Sequence, residues 1–127
     1  MSFQSELQEA EKMVADASAI AGIDVAPVHK NTSGGNLAGA PDPSTKRRDV
    51  QVQWISTEPP PFAAIKDLWT GTYGYTVTSE SADDVFLAKG EMQASIGQGM
   101  AAADGRRNVF FGVVTGLHPA SEVPEPG

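Results

Sequence analysis

Cysteine is absent from this chain of 127 residues, and several kinds of site are excluded with it. Disulfides, thiolate nucleophiles and zinc sites built on sulfur all need cysteine. Histidine is nearly as scarce: His29 and His118 are the only two, and neither is spaced as a metal ligand or as part of a catalytic triad. We therefore expect packing alone to hold the fold, and we expect no metal site.

Long apolar runs and a signal sequence are also lacking. No stretch approaches the ~20 apolar residues that a membrane span requires. The N-terminus has neither the basic start nor the apolar core of a signal peptide. We expect a cytoplasmic or virion protein that has no membrane partner and is not secreted by a signal peptide.

Positive charge is in short supply. Sixteen acidic residues against nine basic ones give a formal net charge of −7, which repels a phosphate backbone over most of the surface. We expect no sequence readout of nucleic acid. Basic residues cluster at 46–48, where Arg47 and Arg48 either contact an acidic neighbour or form a solvated face.

Catalytic and cofactor motifs are missing as well. A nucleophile elbow, the His-Glu-x-x-His motif and a phosphate-binding loop ending in Gly-Lys-Ser/Thr do not occur. Residues 97–102 match the Gly-x-Gly-x-x-Ala form of a dinucleotide loop, but the turn at 104–105 leaves no room for the helix that must follow. We predict no catalytic residue and no cofactor, and hence that the chain is not an enzyme.

The clearest pattern that is present is an amphipathic helix at about 4–21. Its apolar stripe repeats every three or four residues and comprises Phe3, Leu7, Ala10, Val14, Ala17 and Ala21. The stripe packs either on its own domain or on a neighbouring subunit. We take Phe3, Leu7 and Val14 as candidate interface residues.

Glycine and proline dominate the next stretch. After a short predicted strand at 23–26, they predict a long loop at about 26–48, and loops of that length are usually functional or disordered. The loop is either a plain linker or an arm that orders against another chain. In the second case, Asn36 and Leu37 join Arg47 and Arg48 as interface residues.

Alternating faces predict a strand at 49–55, a continuous apolar run predicts a buried strand at 109–114, and a short helix is expected at 62–68. A third strand is predicted at 69–77, with an aromatic face formed by Trp69, Tyr73 and Tyr75. That face either lines a pocket for a small ligand or belongs to the core or an interface.

Residues 81–104 decide the fold class. The stripe through Val85 and Ile96 favours a second helix, although three internal glycines oppose it, and strands meeting at residues 89–90 are the alternative. We predict a single α+β domain at 1–118, with a mostly antiparallel sheet and a disordered tail at 119–127. If 81–104 are strands, a mainly β meander or barrel with one N-terminal helix replaces it.

The order of elements from Phe3 to Leu117 resembles that of small bacteriophage head–tail joining and tail-terminator proteins. The resemblance implies a structural virion component that forms a closed ring through contacts between identical subunits. Two other functions stay open. One is a small-ligand-binding or enzymatic cone or barrel that uses the aromatic face, and the other is an acidic inhibitor or immunity protein.

Overall fold

A computed structural model describes residues 2–35 and 41–126. In chain order it contains helix α1 (Phe3–Ala21), strands β1 (Val28–Gly35) and β2 (Pro41–Ser56), helix α2 (Phe62–Gly71), strands β3 (Thr76–Glu80), β4 (Asp84–Lys89), β5 (Met92–Gln98), β6 (Arg107–Val114) and β7 (His118–Pro119), and a 3-10 helix at Ala120–Glu122.

The seven strands join one antiparallel sheet. Six of them follow the order β1-β2-β6-β5-β4-β3, and β7 pairs with Thr45 and Lys46 in the N-terminal half of β2. Both helices contribute to the hydrophobic core on the same side of this sheet. We call that side the inner face. The predicted α+β class is confirmed, and neither helix in the described part of the chain is long and apolar enough to cross a membrane.

The predicted N-terminal helix is confirmed as α1. Its first turn is capped by the Ser2 hydroxyl oxygen, which accepts from the Ser5 backbone N–H at 3.2 Å. Gly22 ends the helix in the left-handed region at φ 67°. The centre of the stripe, including Met13 and Val14, is fully buried against the chain's own sheet. The alternative of docking on a neighbour is therefore wrong for this stripe.

The predicted loop at 26–48 is wrong, because β1 and the first half of β2 occupy most of it as a hairpin. Polar side chains suit a hairpin that is exposed on one face, so hydrophobicity gave no signal. Gly34 is needed for packing, since a Cβ there would lie 3.1 Å from Leu117 Cδ2. The strand predicted at 23–26 does not form. Asn36 and Leu37 lie outside the described residues.

The helix favoured for 81–104 is also wrong, and the strand alternative holds. Buried side chains alternate along β4 and β5, and Gly90 makes the turn between them at φ 59°. Only glycine adopts that backbone conformation easily, which is why an apparent helical stripe is broken there. The second helix of the fold is instead α2, which confirms the prediction at 62–68.

The strand predicted at 69–77 forms only at its end. Trp69 to Gly71 complete the last turn of α2, and Gly74 redirects the chain at φ 78° before β3 begins at Thr76. The aromatic residues of this segment thus belong to a helix, a turn and the approach to a strand. They do not form one strand face.

The tail predicted to be disordered from 119 is ordered over its described residues. His118 and Pro119 pair with Lys46 and Thr45, and Val123 is only 3% exposed. Lys46 Nζ also lies 3.1 Å from a carboxylate oxygen of Glu125. The C-terminal segment therefore covers the inner face of the hairpin beyond the edge of α1.

Candidate functional site

Most of the predicted interface residues of α1 and the hairpin face inward. Phe3 and Val14 are buried, and Leu7 is half-buried against the core. Arg48 is 4% exposed, while Arg47 is half-buried and, by alternation along β2, points to the opposite side of the hairpin. Phe3, Val14 and Arg48 therefore present almost no surface to another subunit.

Arg48 joins three parts of the chain. Its Nε donates to Asn31 Oδ1 at 2.6 Å, and its second guanidinium nitrogen donates to the carbonyl oxygen of Pro124. The guanidinium carbon lies 5.6 Å from the centre of the Phe3 ring, in cation–π geometry. Arg48 thus ties α1 and the C-terminal segment to the hairpin, which is a structural role.

The three aromatic residues of the candidate pocket are used within the fold. Trp69 is fully buried, and its Nε1 donates to the Met13 carbonyl at 3.3 Å. Tyr75 is 3% exposed and donates to Glu9 Oε2 at 3.2 Å, and half-buried Tyr73 donates to Asp16 Oδ2 at 2.5 Å. These contacts fix α1 on α2 and on the segment that precedes β3, and they place Trp69 and Tyr75 in the core, which was the alternative to a ligand pocket.

Burial raises the pKa of Tyr75 above the ordinary value for a phenol, and the nearby negative charge of Glu9 and its hydrogen bond raise it further. The pKa of Tyr73 is raised for the same reasons, burial first and Asp16 next. Both phenols therefore stay neutral well above neutral pH. A neutral phenol that already donates to a carboxylate has little capacity as a general base.

A polar cleft of about 350 Å³ lies beside the N-terminal half of α1, where Glu6, Lys89, Gly90, Glu91, Met92 and His118 line it. Glu6 Oε1 accepts from the backbone N–H of Gly116 at 2.9 Å and lies 2.7 Å from His118 Nε2. Lys89 Nζ lies 2.7 Å from Glu9 Oε1. Sequence reasoning missed the pair of Glu6 and His118, because 112 positions separate them.

The polar groups of this cleft are largely paired with one another. In the described residues, no group of three or more acidic, histidine or cysteine side chains could hold a metal ion. The contact of Glu6 with His118 and Gly116 fastens α1 to the segment after β6, so it contributes to the fold. Of the groups that line the cleft, the Glu91 carboxylate and the exposed part of the Lys89 side chain remain accessible to a ligand.

Within residues 2–35 and 41–126, no helix covers the other side of the sheet, which we call the outer face. By alternation and register it carries Asp49, Gln51, Gln53 and Ile55 from β2, Phe110, Gly112 and Val114 from β6, Gln93, Ser95 and Gly97 from β5, and Asp84, Phe86 and Ala88 from β4. Asp49 and Asp84 are the charged members of this set and lie at diagonally opposite corners, and Lys30 and Arg47 add positive charge on the same side towards β1. The rest are apolar side chains, amides, a hydroxyl and glycines.

Two glycines flatten the outer face. A Cβ at Gly97 would lie 2.8 Å from Phe110 Cε2 and 2.6 Å from Asp84 Oδ1, so the ring of Phe110 lies down across this position. A Cβ at Gly112 would lie 2.8 Å from the Cβ of Gln51. Side chains here follow the sheet rather than standing away from it, which suits packing against another flat surface.

Phe86 stands out from this flat surface. Its side chain is 46% exposed and lines two shallow grooves, of about 450 and 130 Å³. Ile55 at the end of β2 is 63% exposed. Large apolar side chains on an uncharged sheet face are typical of a contact surface. The alternation of β2 and the apolar run of β6 were legible in the sequence, but which side the helices cover was not.

Comparison with family models, with curated proteins and with solved structures finds no match to this chain.

Proposed function

We propose that this chain is a non-enzymatic assembly subunit that acts through protein–protein contacts and forms homo-oligomers. The observation that supports the proposal is the outer face of the sheet, whose central strands β6 and β5 present no charged side chain and which no helix of the described residues covers. Most of the acidic residues behind the net charge of −7 therefore lie elsewhere. A surface that excludes charge in an acidic protein lowers the cost of removing water from it.

The polar groups of the outer face suit contact with an identical surface. Gln51, Gln53 and Gln93 each carry both hydrogen-bond donors and acceptors, as does the hydroxyl of Ser95. Two copies of such a face can satisfy one another, whereas two copies of a charged face would repel. The aspartates at diagonal corners leave the centre neutral.

The size of the outer face is adequate for a specific contact. Counted over all six strands of the sheet order, the edge strands β1 and β3 included, a strand spacing of about 4.8 Å and pairing over roughly seven residues give a footprint of about 550 Å² before side-chain relief is counted. Specific interfaces bury about 800 Å² of accessible surface on each partner, and recognisable ones begin near 500 Å². The outer face therefore meets the lower limit and, with side-chain relief, approaches the standard size.

Within this class, a ring-forming virion component is our specific proposal. Its support is the resemblance in element order, of which the leading helix and the following sheet remain after the corrections to 26–48 and 81–104. An acidic inhibitor is the competing proposal, supported by the net charge of −7. The two differ in what they bind, because an inhibitor needs a basic target and no second copy.

Paired variants test the outer face directly. We expect Phe86→Glu to weaken self-association at least tenfold in sedimentation velocity, because it replaces the most prominent apolar side chain of the proposed contact with a charge. Met100→Glu is the matched control, since Met100 is 96% exposed, apolar and outside the outer face. Equal self-association of the two variants, with unchanged melting of both, would remove the outer face as the contact.

A further inference from the structure

Strand β1 is an exposed edge of the sheet. It is the terminal strand of the order, and its side chains Val28, Lys30, Thr32 and Ser33 are exposed. The opposite edge, β3, is only five residues long and has an irregular register between Val77 and Ser79, which is a usual protection against pairing. β1 has eight residues and no proline, and its own register shift lies between Ser33 and Gly34, near its end, so that Val28 to Ser33 pair without interruption. It is thus the less protected edge.

The direction of the backbone groups of β1 follows from its neighbour. The N–H of Arg48 donates to Thr115 Oγ1 and its carbonyl oxygen accepts from the Thr115 N–H, both at 2.9 Å, so both groups point away from β1. Asn31 is opposite Arg48, and in an antiparallel pair of this kind both residues face away from each other. The N–H and carbonyl of Asn31 therefore point out from the edge.

By alternation, the backbone N–H and carbonyl groups of His29 and Ser33 also point out from the edge, because these residues lie two positions on either side of Asn31 and pair in the same register. Among the described residues, the backbone of β1 makes no hydrogen bond to a segment other than β2. The C-terminal segment reaches this edge only through a side chain, because Asn31 Nδ2 donates to the Pro124 carbonyl at 3.0 Å. His29, Asn31 and Ser33, at every second position of β1, thus each direct a backbone N–H and a carbonyl oxygen outward, where no described segment pairs with them.

We propose that β1 of a second copy pairs antiparallel with this edge, about a twofold axis at Asn31, so that the two sheets become continuous. Lys30 is the only charged residue of β1, and it selects the register. An axis at Lys30 would set two lysines directly opposite, which is unfavourable. An axis at Asn31 sets Lys30 opposite Thr32 of the second copy.

A second copy fits better than an unrelated strand because the junction is complementary to itself. On the outer side, Lys30 lies beside Asp49 of its own chain, and Thr32 lies beside Arg47. One row across the junction then contains Asp49 and Lys30 of one copy, followed by Thr32 and Arg47 of the other. No like charges lie directly opposite in this row. The inference rests on the proposed homo-oligomeric function and names the edge through which two copies meet.

Engineered disulfides test the junction and its register, since the natural chain has no cysteine. In the proposed register, the Cα atom of Lys30 in one copy lies about 4.5 Å from the Cα atom of Thr32 in the other. The Cα atoms of the two Lys30 residues lie about 8 Å apart. Disulfides need roughly 4.4–6.8 Å. A mixture of Lys30→Cys and Thr32→Cys chains should therefore form a covalent dimer on a non-reducing gel, and neither variant alone should.

Crosslinking of Lys30→Cys alone as fast as the mixture would overturn the register, and no crosslinking in any sample would overturn the junction. Proline at position 29 gives a second test, because it removes an outward N–H without removing a bond to β2. We expect His29→Pro to weaken dimerisation at least tenfold and His29→Ala, which keeps the N–H, to leave it within twofold. Equal association of these two variants would also overturn the junction.

The two proposals fail in different ways. The wild-type chain could be an oligomer in light scattering while the cysteine variants form no crosslink and His29→Pro leaves the mass unchanged. That result would leave the assembly function standing and remove β1 as its contact. A wild-type monomer at every concentration, with no crosslink, would remove both.

Discussion

Replacing Met13 with alanine tests whether α1 belongs to the fold of the single chain. Met13 is fully buried between α1 and the sheet, and its carbonyl accepts the bond from Trp69 Nε1. The substitution keeps that carbonyl and removes only side-chain packing. Methionine-to-alanine changes in cores cost about 2–5 kcal/mol, and we expect about 3 kcal/mol here because the site is enclosed on both sides.

The expected shift in melting temperature follows from the size of the chain. Unfolding entropy is about 2.1 cal/mol/K per residue, or about 0.27 kcal/mol/K for this chain, so 3 kcal/mol lowers the midpoint by about 11 °C. Ile20→Ala is the control on the same helix, because Ile20 is 41% exposed, and it should lower the midpoint by no more than a few degrees.

The assay is thermal unfolding followed by circular dichroism at two protein concentrations differing a hundredfold. A helix docked on its own sheet loses the same free energy of unfolding at both concentrations. If the helix docked on a neighbouring subunit, the shift would instead shrink on dilution, because the wild-type chain would lose that contact as well. A concentration-dependent difference between Met13→Ala and wild type would refute the placement of α1.

Three further predictions concern the outer face, the C-terminal segment and alkaline pH. Gly97→Ala should destabilise the chain by about 1–3 kcal/mol in denaturant unfolding, because the new Cβ displaces the ring of Phe110; unchanged stability would contradict the close packing there. Arg48→Ala should expose residues 119–126 to limited proteolysis, since it removes the bond to this segment, while Arg47→Ala should not; equal cleavage rates would contradict the assigned role. Burial raises the folded-state pKa of Tyr75 above its unfolded value of about 10, so its contribution to stability is complete below about pH 10 and lost as pH rises further. In a pH titration, tyrosinate absorbance should therefore appear at higher pH in the folded chain than in the denatured chain. Titration curves that coincide would contradict the burial of the phenol.

The elements with strong periodicity were predictable from the sequence. The stripe of α1, the alternation of 49–55 and the apolar run of 109–114 are local patterns, and each forms the expected element. The hairpin of β1 and β2 was not predictable by the same means. Its side chains are polar, and backbone pairing with a strand distant in the sequence stabilises it.

The errors at 81–104 and 69–77 have a common origin in glycine. Gly74 and Gly90 adopt left-handed conformations that end one element and start another, while the spacing of the apolar residues around them fits a helix or a strand equally well. For the aromatic residues at 69–75, the burial of Trp69 and Tyr75 supports the core alternative over the pocket. Trp69 and Tyr75 face α1, and the approach of a distant helix cannot be inferred from a local pattern.

The mass of the wild-type chain in solution tests the assembly proposal most directly. Light scattering coupled to size-exclusion chromatography at micromolar concentration should give at least twice the chain mass of 13.3 kDa. The mass should fall on dilution, and Phe86→Glu and His29→Pro should each lower it, because each variant removes one of the two proposed contacts. A mass of one chain at every concentration that the protein tolerates would contradict the account.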